Sequence, residues 1–278
     1  MYFLGLVVLF LIWFFVHRPA QNKNWVPEHS IKPTVRIRED GNIHITNIVR
    51  ADYKDRYHAK VKHENLQFHI SDIKSAWILF DYFSVRLPSG KIITPAHTLL
   101  SFEVDRVGFI SISVAGRRVK GKKIGFSRVL PHTAELFYKF IYEADTLKAR
   151  ALAKEALYLY KLNVDSTIAQ LIFKDMANVA NTLVNRPRWF DTFVKNCTTE
   201  TVKHLRKVGL NLPSFSLDYI LTMRLEEYMY DQGLLSDCSR DTFKKCRQAH
   251  FVSTNILSHK DNEDLSKWLR EQMALEKD

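Results

Sequence analysis

Two apolar runs a few residues apart constrain the fold most. Residues 97–104 (HTLLSFEV) and 109–114 (FISISV) are separated only by Asp105, Arg106, Val107 and Gly108, a pattern that predicts an antiparallel hairpin. Apolar strands need a cover. Residues 165–185 supply one: Ile168, Leu171, Ile172, Met176, Val179, Ala180 and Leu183 form a stripe at helical spacing, and Asp165 or Ser166 can cap its N-terminus. The class expected is therefore α+β, an antiparallel sheet packed against helices. At 278 residues, 46% of them hydrophobic, the chain can hold one main domain with a buried core.

Further elements follow the same logic. Residues 34–38 and 42–46 alternate around Asp40 and Gly41, a second hairpin signal. Residues 76–86 (AWILFDYFSVR) read as a buried strand or a short helix, and 136–142 and 156–162 as strands with a helical stretch, 145–154, between them. Helices are expected over 200–208, 218–230 and 261–275, the last polar and peripheral. His58, His63 and His69 have no compact ligand spacing, so neither a metal nor a cofactor is expected.

The N-terminus points to a membrane. Residues 1–16 carry no charge, are nearly all apolar and end at His17, Arg18 and Pro19; as a helix they would span roughly 24 Å. The layout expected is a transmembrane anchor over 1–18, a linker over 19–39, the main domain over 40–258 and a C-terminal helix over 259–278. A single-pass anchor in the inner membrane with a periplasmic domain is the expected location, although the positive-inside rule taken literally leaves the domain in the cytoplasm. The formal charge of +11 calls for an anionic partner. Residues 116–128 (GRRVKGKKIGFSR) form a basic, glycine-punctuated loop suited to phospholipid phosphates, at about 1 kcal/mol per charge near an anionic surface. No nucleic-acid motif is present, so nucleic acid is not the expected partner.

One stretch carries candidate chemistry. Cys197 follows Asn196 at the start of the helix expected after the break at 186–190, where unpaired N–H groups and the helix dipole favour a thiolate. His97 opens the first strand of the hairpin, and a strand-borne histidine with a helix-borne cysteine is an arrangement used for thiol activation. Cys238 and Cys246 are close enough to pair in an oxidising compartment, which would leave Cys197 free.

These residues, taken in order, resemble a known family. TPAHTLLSFEV with His97, the ISISV strand followed by Arg117 and Arg118, ALYLYKLN, Trp189 with Phe190, and NCTT at 196–199 occur as in the periplasmic domain of the lipoprotein N-acyltransferase Lnb family, as does NIVRADY at 47–53. The likeness covers about residues 40–255. That family is similar to permuted papain-like (NlpC-like) thiol hydrolases, in which the histidine strand precedes the cysteine helix. The resemblance implies that Cys197 is the nucleophile and His97 the general base and acid. Ala115 stands where the family tends to have a glutamate, which leaves Ser111 or Ser113 to orient His97; Ser113 is taken as the third catalytic residue. Asn196, Thr198, Trp189, Arg117 and Arg118 are taken as substrate-binding. The implied reaction moves an acyl chain from membrane phospholipid through a Cys197 thioester to the amine of a lipoprotein or another acceptor. A cysteine peptidase or amidase of the cell envelope, or a non-catalytic membrane-tethered binding domain, are the alternatives, and oligomeric state stays open.

Overall fold

A computed structural model describes residues 18–55, 58–86, 89–122, 133–192, 194–213, 224–238, 242–259 and 264–275. The strands among them are β1 (Thr34–Ile37), β2 (Asn42–Tyr53), β3 (Ala59–His69), β4 (Ile73–Tyr82), β5 (Val85–Arg86), β6 (Ile92–Ile93), β7 (Ala96–Val104), β8 (Gly108–Gly116), β9 (Ala134–Tyr142), β10 (Ala156–Lys161) and β11 (Trp189–Phe190). The helices are α1 (Glu143–Leu152), α2 (Ser166–Asn185), α3 (Cys197–Lys207), α4 (Leu225–Asp231), α5 (Phe243–Ala249), α6 (Ser253–Ser258) and α7 (Leu265–Leu275). The fold is α+β.

The sheet runs β1-β2-β9-β8-β7-β4-β10, with β3 also paired to β2 and β11 to β9. Its centre is the expected hairpin: β7 and β8 pair from Leu99↔Ser113 to Val104↔Gly108. The turn needs two left-handed residues, Arg106 at φ 60° and Gly108 at φ 92°; glycine takes the second without a Cβ penalty. The expectation of an antiparallel sheet requires a correction. β2 and β9 lie parallel, aligned at Val49↔Ile141, because β9 returns to the edge of β2 after six intervening strands rather than through a hairpin. The sheet is mixed.

Alternation sends the strand side chains to two covers. Leu100, Phe102, Ile110 and Ile112 face α2 and α3, where Phe173 meets Phe68, Phe102 and Phe140 edge-on at centroid distances of 5.8, 5.4 and 6.2 Å. Leu79, Leu99, Leu157 and Leu159 face the other way, onto Leu147 of α1, Ile256 of α6 and Leu269 of α7. Residues 76–86 resolve as strand for most of their length, since β4 pairs along both edges, with β7 and β10, and buries both faces in the two core clusters.

The stretch expected to be a spacer is instead packed against the domain. Trp25 bridges to Val119, and Val26 N–H donates to Arg118 O at 3.0 Å. Arg117 reaches back to donate to His29 O at 2.8 Å and Ser30 O at 2.9 Å. No described helix is long and apolar enough to cross a membrane; residues 1–17, where the anchor is expected, lie outside the described residues. So do 123–128 of the basic loop and 218–223 of the helix expected over 218–230.

Candidate active site

The start of α3 is built by its own sequence. Asn196, in extended conformation, caps the helix: its Oδ1 accepts from Thr199 N–H at 2.8 Å, and Thr199 Oγ1 accepts from Asn196 N–H at 2.9 Å. Asn196 Nδ2 donates to Thr192 O at 2.7 Å, and Asp191 and Lys195 close the preceding loop through paired backbone bonds. Cys197 is thus held in the first turn. The helix is pinned from behind by Tyr138 and Asp175, which sandwich the imidazole of His204 at 2.8 and 2.7 Å.

β7 brings His97 to the same place. Thr98, the next residue, hydrogen-bonds Thr198 through its hydroxyl at 3.4 Å, and its backbone N–H donates to the Cys197 sulfur. His97 is hydrogen-bonded to the thiol and, through Nε2, to Ser113 Oγ at 2.9 Å. Ser111, the other serine considered, points its hydroxyl to Ser101 at 3.3 Å and does not reach the imidazole. Cys197 is the free cysteine, buried at 8% exposure; Cys238 and Cys246 form a disulfide. Burial pushes the Cys197 thiol up, but the charge and hydrogen bond of His97, with Thr98 N–H and the Thr198 hydroxyl, bring it down to about 6. Near neutral pH a large share of such a sulfur is thiolate.

The remaining expected site residues fall into two groups. Thr198 is fully buried with its hydroxyl 3.8 Å from the Cys197 sulfur. Asn196 is occupied by capping. Trp189 lies on β11 against Glu135 of β9 and steers the chain toward Cys197. Arg117 is buried, pairs with Glu135 at 3.1 Å and stacks on Trp25 at 4.1 Å, so its guanidinium is part of the domain wall. Arg118 is exposed beside it.

Three residues join the site that sequence reading did not single out. Asp81 of β4 sits directly across from His97 in the β4–β7 register, completely buried and ion-paired to Arg150 of α1. Burial lowers the Arg150 guanidinium, opposed by Glu155, Tyr53 and the Cys197 charge. Lys139 of β9 stands across from Ser113, its ammonium depressed by burial and opposed by Glu28. An acid inside the run AWILFDYF was the available signal for Asp81, since an aspartate in a buried strand must find a partner.

The molecule is therefore an α+β domain with a cysteine–histidine–serine cluster at one end of a mixed sheet. A family model described as the Lnb N-terminal periplasmic domain matches residues 78–225, more than half of the chain, and the protein belongs to that family. The match spans His97, Ser113 and Cys197. It places the domain in a periplasmic, lipoprotein-related setting. No curated protein and no solved structure compared with the chain matches it.

Proposed function

We propose that the domain is a thiol enzyme of permuted papain-like type that moves an acyl chain from a phospholipid, through a thioester on Cys197, to an amine acceptor such as the N-terminus of a lipoprotein. The observation that carries this reading is the thiol brought to about 6 by a hydrogen bond and charge from His97, whose Nε2 is in turn hydrogen-bonded to Ser113. The Cys197 thiolate attacks the ester carbonyl, the C–O bond breaks, and protonated His97 gives its proton to the departing lysophospholipid alkoxide. In the second half an amine attacks the thioester, the C–S bond breaks, and His97 takes the proton the amine releases. N–H groups in the first turn of α3 are positioned to hold the oxyanion of both tetrahedral intermediates. Family membership supports the lipoprotein setting, and the order of histidine before cysteine supports the permuted papain-like assignment.

Mass spectrometry of the purified full-length protein incubated with phospholipid tests the reading. An acyl mass on Cys197, lost on adding an amine acceptor and absent in Cys197→Ala and His97→Ala, is the expected result. Cleavage of envelope peptides with no adduct would assign a peptidase or amidase instead, and neither adduct nor cleavage would assign a binding domain.

A further inference from the structure

Several described segments meet at the end of the sheet that carries the dyad. β4 finishes there at Tyr82 and β7 begins there at Ala96, so the β5–β6 hairpin projects from that end. β8 finishes there at Gly116, and Asp191 and Lys195 bridge just before Cys197. Two of these segments show bare apolar tips: Ile92 is 54% exposed, Ile93 37% and Val194 54%. They stand four or five residues before His97 and three before Cys197 in sequence. A hairpin of two-residue strands that leaves both of its isoleucines in water contributes little to the core, and such patches commonly mark interaction sites.

Exposed charge at the same end is mainly positive. Lys91 and Lys195 adjoin the apolar tips, and Arg118, Lys120 and Lys122 follow β8; all five are exposed, and none forms an ion pair among the described residues. The carboxylates nearby are already engaged. Asp81 and Glu155 pair with Arg150, Glu28 accepts from Tyr53, and Asp191 accepts from Val194 N–H. The chain also passes here: residues 24–26, a few residues after the apolar stretch 1–16 of the sequence, are strapped to 118–120 by backbone bonds.

We propose that this end of the sheet docks on an anionic phospholipid bilayer, with Ile92, Ile93 and Val194 inserted at the headgroup level and the surrounding lysines and Arg118 on lipid phosphates. Apolar tips in a cationic ring match the chemistry of an anionic interface. The inference rests on the reading of Cys197 as a site fed with lipid, since docking here presents the thiol to the bilayer.

Hydrogen–deuterium exchange of the full-length Cys197→Ala protein, compared in detergent and in nanodiscs containing phosphatidylglycerol, tests it without depending on catalysis. Amides of 85–95 and 191–196 are expected to exchange about tenfold more slowly in the discs, and Ile92→Glu with Ile93→Glu to abolish that protection. If this variant also speeds exchange in β7 and β8, the exposed reversals Lys91→Glu and Lys195→Glu take its place. Equal exchange in discs and detergent would overturn the proposal. So would protection that tracks protein concentration in detergent, which would assign the face to a second copy of the chain. Protection of the discs' face without thioester formation in the wild type would sink the acyl-transfer reading and leave docking standing; a thioester without protection would do the reverse.

Discussion

At the scale of single residues, the site turns on how one imidazole is shared. A buried thiol alone would resist ionisation. Because the Cys197 thiol is brought to about 6, below the ordinary value near 8.5, the thiolate persists down to mildly acidic pH and is lost as pH falls through about 6. The rate of iodoacetamide labelling of Cys197 should therefore inflect near pH 6 in the wild type. In His97→Ala burial is left unopposed by imidazole, and the inflection should move above the ordinary thiol range; an unmoved inflection would mean that the histidine does not set the thiol. Ser113→Ala removes one hydrogen bond to Nε2, worth about 1 kcal/mol, and should slow thioester formation roughly fivefold while leaving the fold intact by circular dichroism. Cys197 and His97 were legible in sequence because each sits at the boundary of a periodic segment. Asp81 left a local trace, an acid inside an apolar run, but its pairing with Arg150 left none, since a contact between a strand acid and a base on a distant helix has no local pattern.

At the scale of elements, sequence periodicity located what it physically controls. The β7–β8 hairpin, α2 and the start of α3 each combine a clear apolar period with a turn or cap residue, and each formed near its expected bounds. Function was harder to separate from construction. Asn196 was expected to touch substrate, yet its side chain makes the cap that holds Cys197 in place; Asn196→Ala should lower stability by about 1 kcal/mol in urea denaturation. The stretch 19–39 was expected to be a linker because residues 21–33 are polar and carry Pro27 and Pro33, while what pins it is Arg117 grasping the carbonyls of His29 and Ser30, a backbone contact that composition does not encode. Arg117→Ala would leave Glu135, wholly buried, without one of its charged partners. The expected loss is about 3 kcal/mol or more, read from the urea midpoint, and a neutral result would remove Arg117 from the wall.

At the scale of the whole molecule, the parallel contact of β2 with β9 joins segments far apart in the chain, and no pairwise spacing announced it. The C-terminal helices are held to the sheet in a similarly nonlocal way. Glu226 of α4, almost fully buried, accepts from Tyr82 of β4 at 2.5 Å and from Tyr160 of β10, and Arg247 of α5 donates to both of its oxygens at 3.2 Å. Beside Arg247, Cys246 is joined to Cys238, and His250 stacks on Tyr160 at a centroid distance of 4.6 Å. The disulfide thus fixes the short helix that supplies the cation to a buried carboxylate. Its loop is short, with a sequence separation of 8, so chain entropy alone assigns it about 2–3 kcal/mol. Reduction should cost more than that, because loosening α5 also exposes the Glu226 cluster. In paired urea titrations the reduced protein should lose more than the entropic amount, and Glu226→Gln, which weakens the cluster beforehand, should shrink the difference between oxidised and reduced forms. Equal differences in the two backgrounds would show that the disulfide and the carboxylate cluster stabilise the domain independently.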